Sequence, residues 1–477
     1  MIKFLIILIN VFFVFFTDKP EKTAPQLSPR AIEQRTKWNI PTDEMDYPVS
    51  TLYLDSLRRM GVKIYHKSRW FNGATCEMNS TLAAKVRCLG FVSEVEETRD
   101  NSSYIYGVRK KNRQQTIVSC QPEISNFQQS DNWTDEQLAL YNLLPLHEAG
   151  FHGQGILMAI CDGGFYRANT LNCFRQSQEL GHFDFTDDDD DFYGSTGTHG
   201  TECLSAIFGI KEGYQGAATQ AEYYLMRSEE NSPESPKEMD NLVAALEKAD
   251  SLGVNVFSVS LGYAMFDNDD WTLDKTTDLD GRSTRASMAA TIAARKGMLV
   301  CVAAGNEGDS EWRTIGAPAD ADSVLTVGAV SVDSVIGYFS SYGPSSDGRI
   351  KPEVCAVGVQ TTLINPDGII ITSNGTSFAT PLMAGFAASL WSALPEENAM
   401  QIRTRIIRSA NRYLHPDLAN HLGYGIPNAW KAYTMDLHEG IEGIHPSNPN
   451  YQKILRGNQV LIVRFGHVYN LAGQLVE

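Results

Sequence analysis

The sequence predicts an α/β protein: a parallel sheet flanked by helices, with a small α+β module ahead of it and a short β segment behind. Between Leu138 and Tyr433, apolar runs of strand length recur: GILMAICD, AEYYLM, VNVFSVSLG, GMLVCVAAG and DSVLTVGAV. Stretches between them, such as PKEMDNLVAALEKADSLG and TRASMAATIAARKG, are amphipathic and end at a glycine, as helices with a glycine cap do. Strands that are apolar throughout are buried on both faces, and helical crossovers between them make the sheet parallel.

The elements follow in order along the chain. Residues 1–17 place one lysine ahead of an apolar run from Phe4 to Phe16. That run is short for a bilayer-spanning helix, which needs about 20 residues, and fits a signal-peptide core. A signal peptide over 1–17 is therefore expected, with export to the cell surface or beyond. Membrane contact is expected only through an uncleaved N-terminal signal. Residues 18–45, rich in Pro, Lys, Glu and Thr, read as a mobile lead. In the module at 46–98, VSTLYLDSLRRMGV puts Leu52, Leu54, Leu57 and Met60 on one helical face. VKIYHKS and GATCEM read as strands, STLAAKVRCLG as a second helix and FVSEVEET as a last strand, a βαββαβ-like unit. Residues 99–137 are polar and broken by Asn, Gln and Pro, which suits a linker open to proteolysis. The large α/β region spans 138–437. After a Gly/Pro/Asn linker, residues 450–477 read as two or three strands with glycine turns.

Composition removes several function classes. The 477 residues are 43% hydrophobic, ample for a large core, and carry a net charge of −17. An acidic balance argues against non-specific nucleic-acid binding, which needs a basic face to displace counterions. The 8 cysteines are too few for a disulfide-built scaffold, form no CxxC pair that would suit structural zinc, and suggest no particular pairing.

Within the α/β region, a few segments end an apolar strand or open a helix, where ligands bind in open α/β sheets. GILMAICDGGF ends on Asp162, a carboxylate able to orient a histidine; strand-end aspartates also commonly cap turns. GSTGTHGTECLSAIFG starts a helix at His199, with Gly200 permitting close backbone approach. GMLVCVAAGNEG delivers Asn306 into a glycine-flanked loop, where its amide can donate to a developing oxyanion or merely serve a turn. SNGTSFATPLMAGFAASLW places Ser377 at the mouth of an apolar helix, whose N-terminal N–H donors suit oxyanion binding and equally suit an ordinary capping serine.

Taken together, the ordinary readings lose. The chain order Asp162, His199, Ser377, with Asn306 between the last two, is the order of the subtilisin triad. HGT at His199, AAGNEG at Asn306 and GTSFATP at Ser377 are separate motifs in the right sequence. Over residues 138–433 the chain resembles the subtilisin-like serine peptidases, the subtilase family. The resemblance implies a subtilisin-like fold and an endopeptidase acting through an acyl-enzyme on Ser377. It implies His199 as general base and then acid, Asp162 as its orienting partner, and Asn306 with the Ser377 N–H as the oxyanion hole. Ser260, Leu261 and Gly262 match the family's substrate-binding edge and, with Gly305, would pair with an extended polypeptide substrate by β-augmentation. Ile315-Gly316-Ala317-Pro318 matches the far wall of the pocket for the side chain before the scissile bond. Gly163 departs from the family, which commonly has Ser or Thr after the aspartate.

By the same resemblance, the N-terminal module is a propeptide, an intramolecular inhibitor cut in 99–137 to release a zymogen. The expected enzyme is a monomer requiring no cofactor. Structural calcium occurs in the family, but the acidic run FDFTDDDDDFYG lacks the alternating spacing of a calcium loop, so no metal site is assigned. Cys161 and Cys203 read as small buried hydrophobes. The C-terminal GHVYNLAGQLVE resembles the end of sorting modules read by the type IX secretion system. The alternative is a non-catalytic peptide-binding or assembly protein on the same fold, against which the presence of all the chemical residues weighs. A serine esterase of the α/β-hydrolase type fits less well, since its nucleophile sits in GxSxG and precedes the acid and histidine.

Overall fold

The computed structural model describes residues 9–21, 23–99, 132–186, 191–194, 197–229, 234–267, 271–417, 419 and 421–437, and the backbone of strands 451–456, 459–464 and 467–469. They fall into two units, Met1–Tyr433 and Thr434–Glu477. Residues 100–131 of the linker expected to be processed, most of the central acidic run and the last residues of the C-terminal segment lie outside the described residues. The end of that linker is corrected, because the helix Asp135–Ala139 starts within it and the Gln137 side chain pairs with the Thr362 backbone of the larger domain.

The apolar run at the start of the chain is built as a strand. Strand β1 (Ile9–Phe16) pairs antiparallel with β3 (Gly73–Asn79) on one side and with β4 (Val92–Arg99) on the other. With β2 (Lys63–Ser68) this gives a four-stranded sheet in the order β2-β3-β1-β4. Phe12, Val14 and Phe16 pack with Leu54, Leu57, Ala83 and Val86 from the helices Thr51–Arg59 and Ser80–Val86. Phe13 points to the opposite face, where the Arg285 guanidinium lies 4.8 Å from its ring centroid. A strand buried on both faces reads as an unbroken apolar run, the same signature as a signal-peptide core. The signal-peptide reading of residues 1–17 is corrected accordingly. Cleavage there would take the inner strand from the module, whose first element lies well ahead of residue 46.

The segment read as a mobile lead is also ordered. Its helix Pro29–Lys37, capped by Ser28, docks on the helix Lys237–Leu252 of the larger domain. The Ser28 N–H donates to Ser251 O at 2.8 Å, and Arg35 bridges Asp46 and Asp250 at 2.7 Å each. Lys296 reaches Asp43 and Asp46, both at 2.8 Å. The open face of the four-stranded sheet meets the helices Lys237–Leu252 and Arg285–Arg295 through polar contacts. Glu247 accepts from Ser68 Oγ at 2.5 Å and from the N–H groups of Arg69 and Trp70 at 3.0 and 3.1 Å. Asp240 accepts from Thr75 Oγ1 at 3.2 Å and Arg285 Nε at 2.7 Å, and Arg285 also binds Glu96. His66 Nε2 lies 2.9 Å from both Asn241 Oδ1 and Phe185 O.

The five apolar runs of the larger domain become five of seven parallel strands. The seven are β5 (Leu157–Asp162), β6 (Gln178–Asp184), β9 (Glu222–Arg227), β10 (Val256–Val259), β11 (Leu299–Ala303), β12 (Leu325–Val330) and β13 (Val354–Val357). The two edge strands, β6 and β13, are not among those runs. A two-residue ribbon, β7 (Ile210–Lys211) with β8 (Tyr214–Gln215), lies between β6 and β9 in sequence. The sheet order is β13-β12-β11-β10-β5-β9-β6, so the chain reverses direction of growth around β5. Alternate residues go to opposite faces. Met158, Ile160 and Cys301 join the cluster around the helix Thr376–Ala393, whereas Leu157, Ala159 and Val300 join that of the two outer helices. A hairpin, β14 (Thr361–Ile364) with β15 (Ile370–Ser373), precedes the helix Thr376–Ala393. The C-terminal unit is an antiparallel sheet of β16 (Tyr451–Arg456), β17 (Gln459–Arg464) and β18 (His467–Tyr469).

Two outcomes follow from the module's construction. Glu247→Ala strips a buried carboxylate from its donors and should destabilise the uncleaved chain by about 3–5 kcal/mol, read as a lower urea midpoint in a Ser377→Ala background. N-terminal sequencing of that folded precursor should find residues 9–16 in place. A folded precursor beginning near residue 18 would contradict the strand assignment.

Candidate active site

The site lies at the carboxyl ends of the sheet, beside the strand where the order reverses, the usual place for ligands in such folds. Asp162 is the last residue of β5 and 1% exposed. Its carboxylate accepts from the Gly163 N–H at 2.8 Å, and its Oδ1 and Oδ2 lie 2.9 and 3.0 Å from His199 Nδ1. His199 opens the helix His199–Phe208 and keeps 20% of its side chain exposed. The helix comes this close because residue 200 is glycine: a Cβ there would stand 2.3 Å from Gly164 O and 2.9 Å from Asp162 Cβ.

Ser377 is the second residue of the helix Thr376–Ala393 and 7% exposed. Its carbonyl is held by two hydrogen bonds, from Ser260 Oγ at 2.8 Å and Cys203 Sγ at 3.2 Å. The same Cys203 Sγ lies 3.8 and 3.9 Å from the two ring nitrogens of His199. The Phe378 ring is centred 5.3 Å from the imidazole. The serine and histidine helices thus meet at one point, above the end of β5.

Asn306 follows β11, with Gly305 before it at φ 110°, a conformation that favours glycine. A Cβ at Gly305 would also meet Ser341 Oγ at 2.8 Å. Asn306 Oδ1 accepts from the Thr376 N–H at 2.9 Å and lies 3.0 Å from Thr376 Oγ1. With its oxygen committed to Thr376, the side chain has its amide nitrogen left as a donor.

The residues expected at the substrate edge are not alike in exposure. Ser260 is buried, and its hydroxyl serves the Ser377 carbonyl rather than the rim. Leu261 is half-buried and Gly262 exposed. Tyr263 pairs antiparallel with Ala317, their N–H groups donating to each other's carbonyls at 2.7 and 2.8 Å. This ties the edge to the segment 315–318. Trp312 Nε1 donates to Ile315 O at 3.2 Å, which makes that tryptophan a brace for the same segment.

Electrostatics bias the histidine toward its charged form. Burial works against the imidazolium, but the Asp162 carboxylate outweighs it and holds the pKa well above its ordinary value. Burial pushes the Cys203 thiol up to about 11, which keeps it neutral near pH 7. Sequence reasoning missed two residues beside the histidine, Cys203 as a donor to Ser377 and Glu202. Their spacing of four and three residues from His199 puts both on its helical face, which is the signal that could have found them.

Residues 153–425 match the model of the subtilase family, and residues 11–116 match the peptidase S8 propeptide domain of Bacteroidota. Subtilisin DY of Bacillus licheniformis is 29% identical over 265 residues, covering 55% of this chain and 85% of that protein. Subtilisin NAT of Bacillus subtilis subsp. natto is 28% identical over 284 residues, and there the match spans just 65% of the relative. Among solved structures, MycP1 from Mycobacterium smegmatis is alike in fold, with a TM-score of 0.53 at 22% identity, covering 67% of this chain and 89% of that one. With the family model matched over more than half of its length, the chain belongs to the subtilase family of serine endopeptidases and carries an S8 propeptide domain.

Proposed function

We propose that the protein is a zymogen that processes itself and then cleaves polypeptides through an acyl-enzyme on Ser377. The observation that carries this is the pair of bonds from His199 Nδ1 to Asp162, which fixes the tautomer with Nε2 as the accepting nitrogen. In this reading Ser377 Oγ attacks the peptide carbonyl carbon as its proton passes to His199 Nε2. The carbonyl oxygen becomes an oxyanion that accepts from the Asn306 side-chain amide and the Ser377 N–H. As the C–N bond breaks, His199 returns the proton to the leaving amine. Water then repeats the sequence on the ester and frees Ser377. The substrate lies extended along Leu261, Gly262 and Gly305, hydrogen-bonded by backbone.

The propeptide acts in this reading as an intramolecular inhibitor, docked on the helices Lys237–Leu252 and Arg285–Arg295. The cut that separates it falls between residues 99 and 137. Export belongs to the proposal in altered form. Among the described residues no helix is long and apolar enough to cross a membrane. With Ile9–Phe16 serving as β1, an exported enzyme needs a signal other than that run. No cofactor enters the reaction as proposed. A non-catalytic binding role is the reading to be excluded.

Purified wild type and Ser377→Ala, compared by intact mass and N-terminal sequencing, test the proposal. Wild type should lose its propeptide and take up a fluorophosphonate probe, whereas the variant should stay full length and unlabelled. Wild type that is neither cut nor labelled would favour the binding reading. In the matured enzyme Asn306→Ala should lower kcat by about 10²–10³ with a small change in KM. That is the loss seen in subtilisin itself for an oxyanion-hole asparagine, adopted here as the scale.

A further inference from the structure

Glu202 takes no part in the chemistry above, yet it stands beside it. It is 6% exposed, and its Oε2 has no hydrogen-bond partner among the described residues. Its neighbours on the helix all have defined structural uses. Gly200 gives passage to the strand end, Thr201 Oγ1 donates to Tyr166 O at 2.8 Å, and Cys203 Sγ donates to Ser377 O. A carboxyl oxygen buried without a partner is costly, and an apolar side chain would fill the same space without that cost. Glu202 lies on the same helical face as His199, one turn further on. The titratable groups acting on it are His199, on its own helix, and Asp162, from the end of β5. The Cys203 thiol beside it is neutral near pH 7.

We infer that Glu202 is a positioning residue whose carboxylate acts as a second anion for the His199 imidazolium formed when Ser377 gives up its proton. The inference rests on the triad reading above. Asp162 holds Nδ1 by hydrogen bonds and sets the tautomer. Glu202 adds field alone, which explains why its oxygen needs no hydrogen bond to the ring. Burial, opposed by His199 and reinforced by Asp162, pushes the Glu202 carboxyl up to about 7. Below that pH it takes up a proton and the imidazolium keeps one anion; above it, both anions act. A negative charge beside an imidazole raises its pKa, so removing the charge lowers it.

The test is the pH dependence of kcat/KM for a chromogenic peptide amide, measured on matured wild type, Glu202→Gln and Glu202→Asp. Glutamine has the shape of the neutral acid, so the packing is kept. In Glu202→Gln the acid limb should move to lower pH by about one unit, and the plateau should fall about tenfold. One electrostatic interaction sets both, at one pKa unit per factor of ten. Glu202→Asp should retain most of each. A Glu202→Gln acid limb that coincides with wild type overturns the inference whatever the plateau does, because a packing role changes rate or stability without moving the limb. Should Glu202→Gln fail to mature, the His199 pKa is read by NMR in Ser377→Ala with and without it. A fall of about one unit supports the inference and an unchanged value overturns it. Failure of the triad reading looks different, because wild type itself would then resist the fluorophosphonate probe.

Discussion

The rest of the structure depends on one buried bond, between the Asp162 carboxylate and His199 Nδ1. A carboxylate 1% exposed is unfavourable unless its oxygens are engaged, and here the Gly163 N–H and the imidazole engage them. That requirement reaches far into the fold. It needs β5 in the middle of a parallel sheet, so that its carboxyl end opens into a cleft rather than onto an edge. It needs Gly200, because any side chain would hold the histidine helix off the strand. The serine helix is then anchored to that same helix through Cys203, and to β10 and the substrate edge through Ser260, both acting on the carbonyl of Ser377.

Much of this was legible in the sequence, because both signals are strong. Strands buried on two faces give unbroken apolar runs, and the helices between them end on glycine. Asp162, His199, Asn306 and Ser377 stand in motifs whose order separates them from chance, and the fold brings all of them to one end of the sheet. What could not be read is equally specific. The run Ile9–Phe16 has the length and apolar character of a signal core because a two-sided inner strand demands the same residues. Only its partners, β3 and β4, distinguish the two, and they lie more than fifty residues away. Glu202 was only half legible for another reason: its spacing puts it on the helical face of His199, but nothing in HGTEC tells which side chains of that face are buried.

The helix Lys237–Leu252, expected from its amphipathic pattern and its terminal glycine, carries one feature that the pattern does not show. Its amphipathic pattern predicts an apolar face on the sheet and a polar face in water, yet Asp240, Asn241, Glu247 and Asp250 are buried. The propeptide covers them, and it answers each with a matched group: Thr75, His66, the Ser68–Trp70 turn, and the guanidinium groups of Arg35 and Arg69.

A polar interface of this kind suits the proposed processing, in which the two bodies would part. Burial as extensive as this could have been built from leucines, and the association would then rest on apolar area. But an apolar face uncovered by loss of the module would leave the enzyme with an exposed patch prone to association. Carboxylates and amides bond to the propeptide while it is docked and to water once it has gone, so either state is satisfied. Their cost is sensitivity, since each carboxylate is stable in the docked state only while its donors remain. The pattern that reads as an ordinary solvent-facing helix would therefore be correct for the enzyme matured as proposed. The precursor borrows that face, and this is why sequence periodicity, which reports what a helix must tolerate in water, gives no sign of the module seated on it.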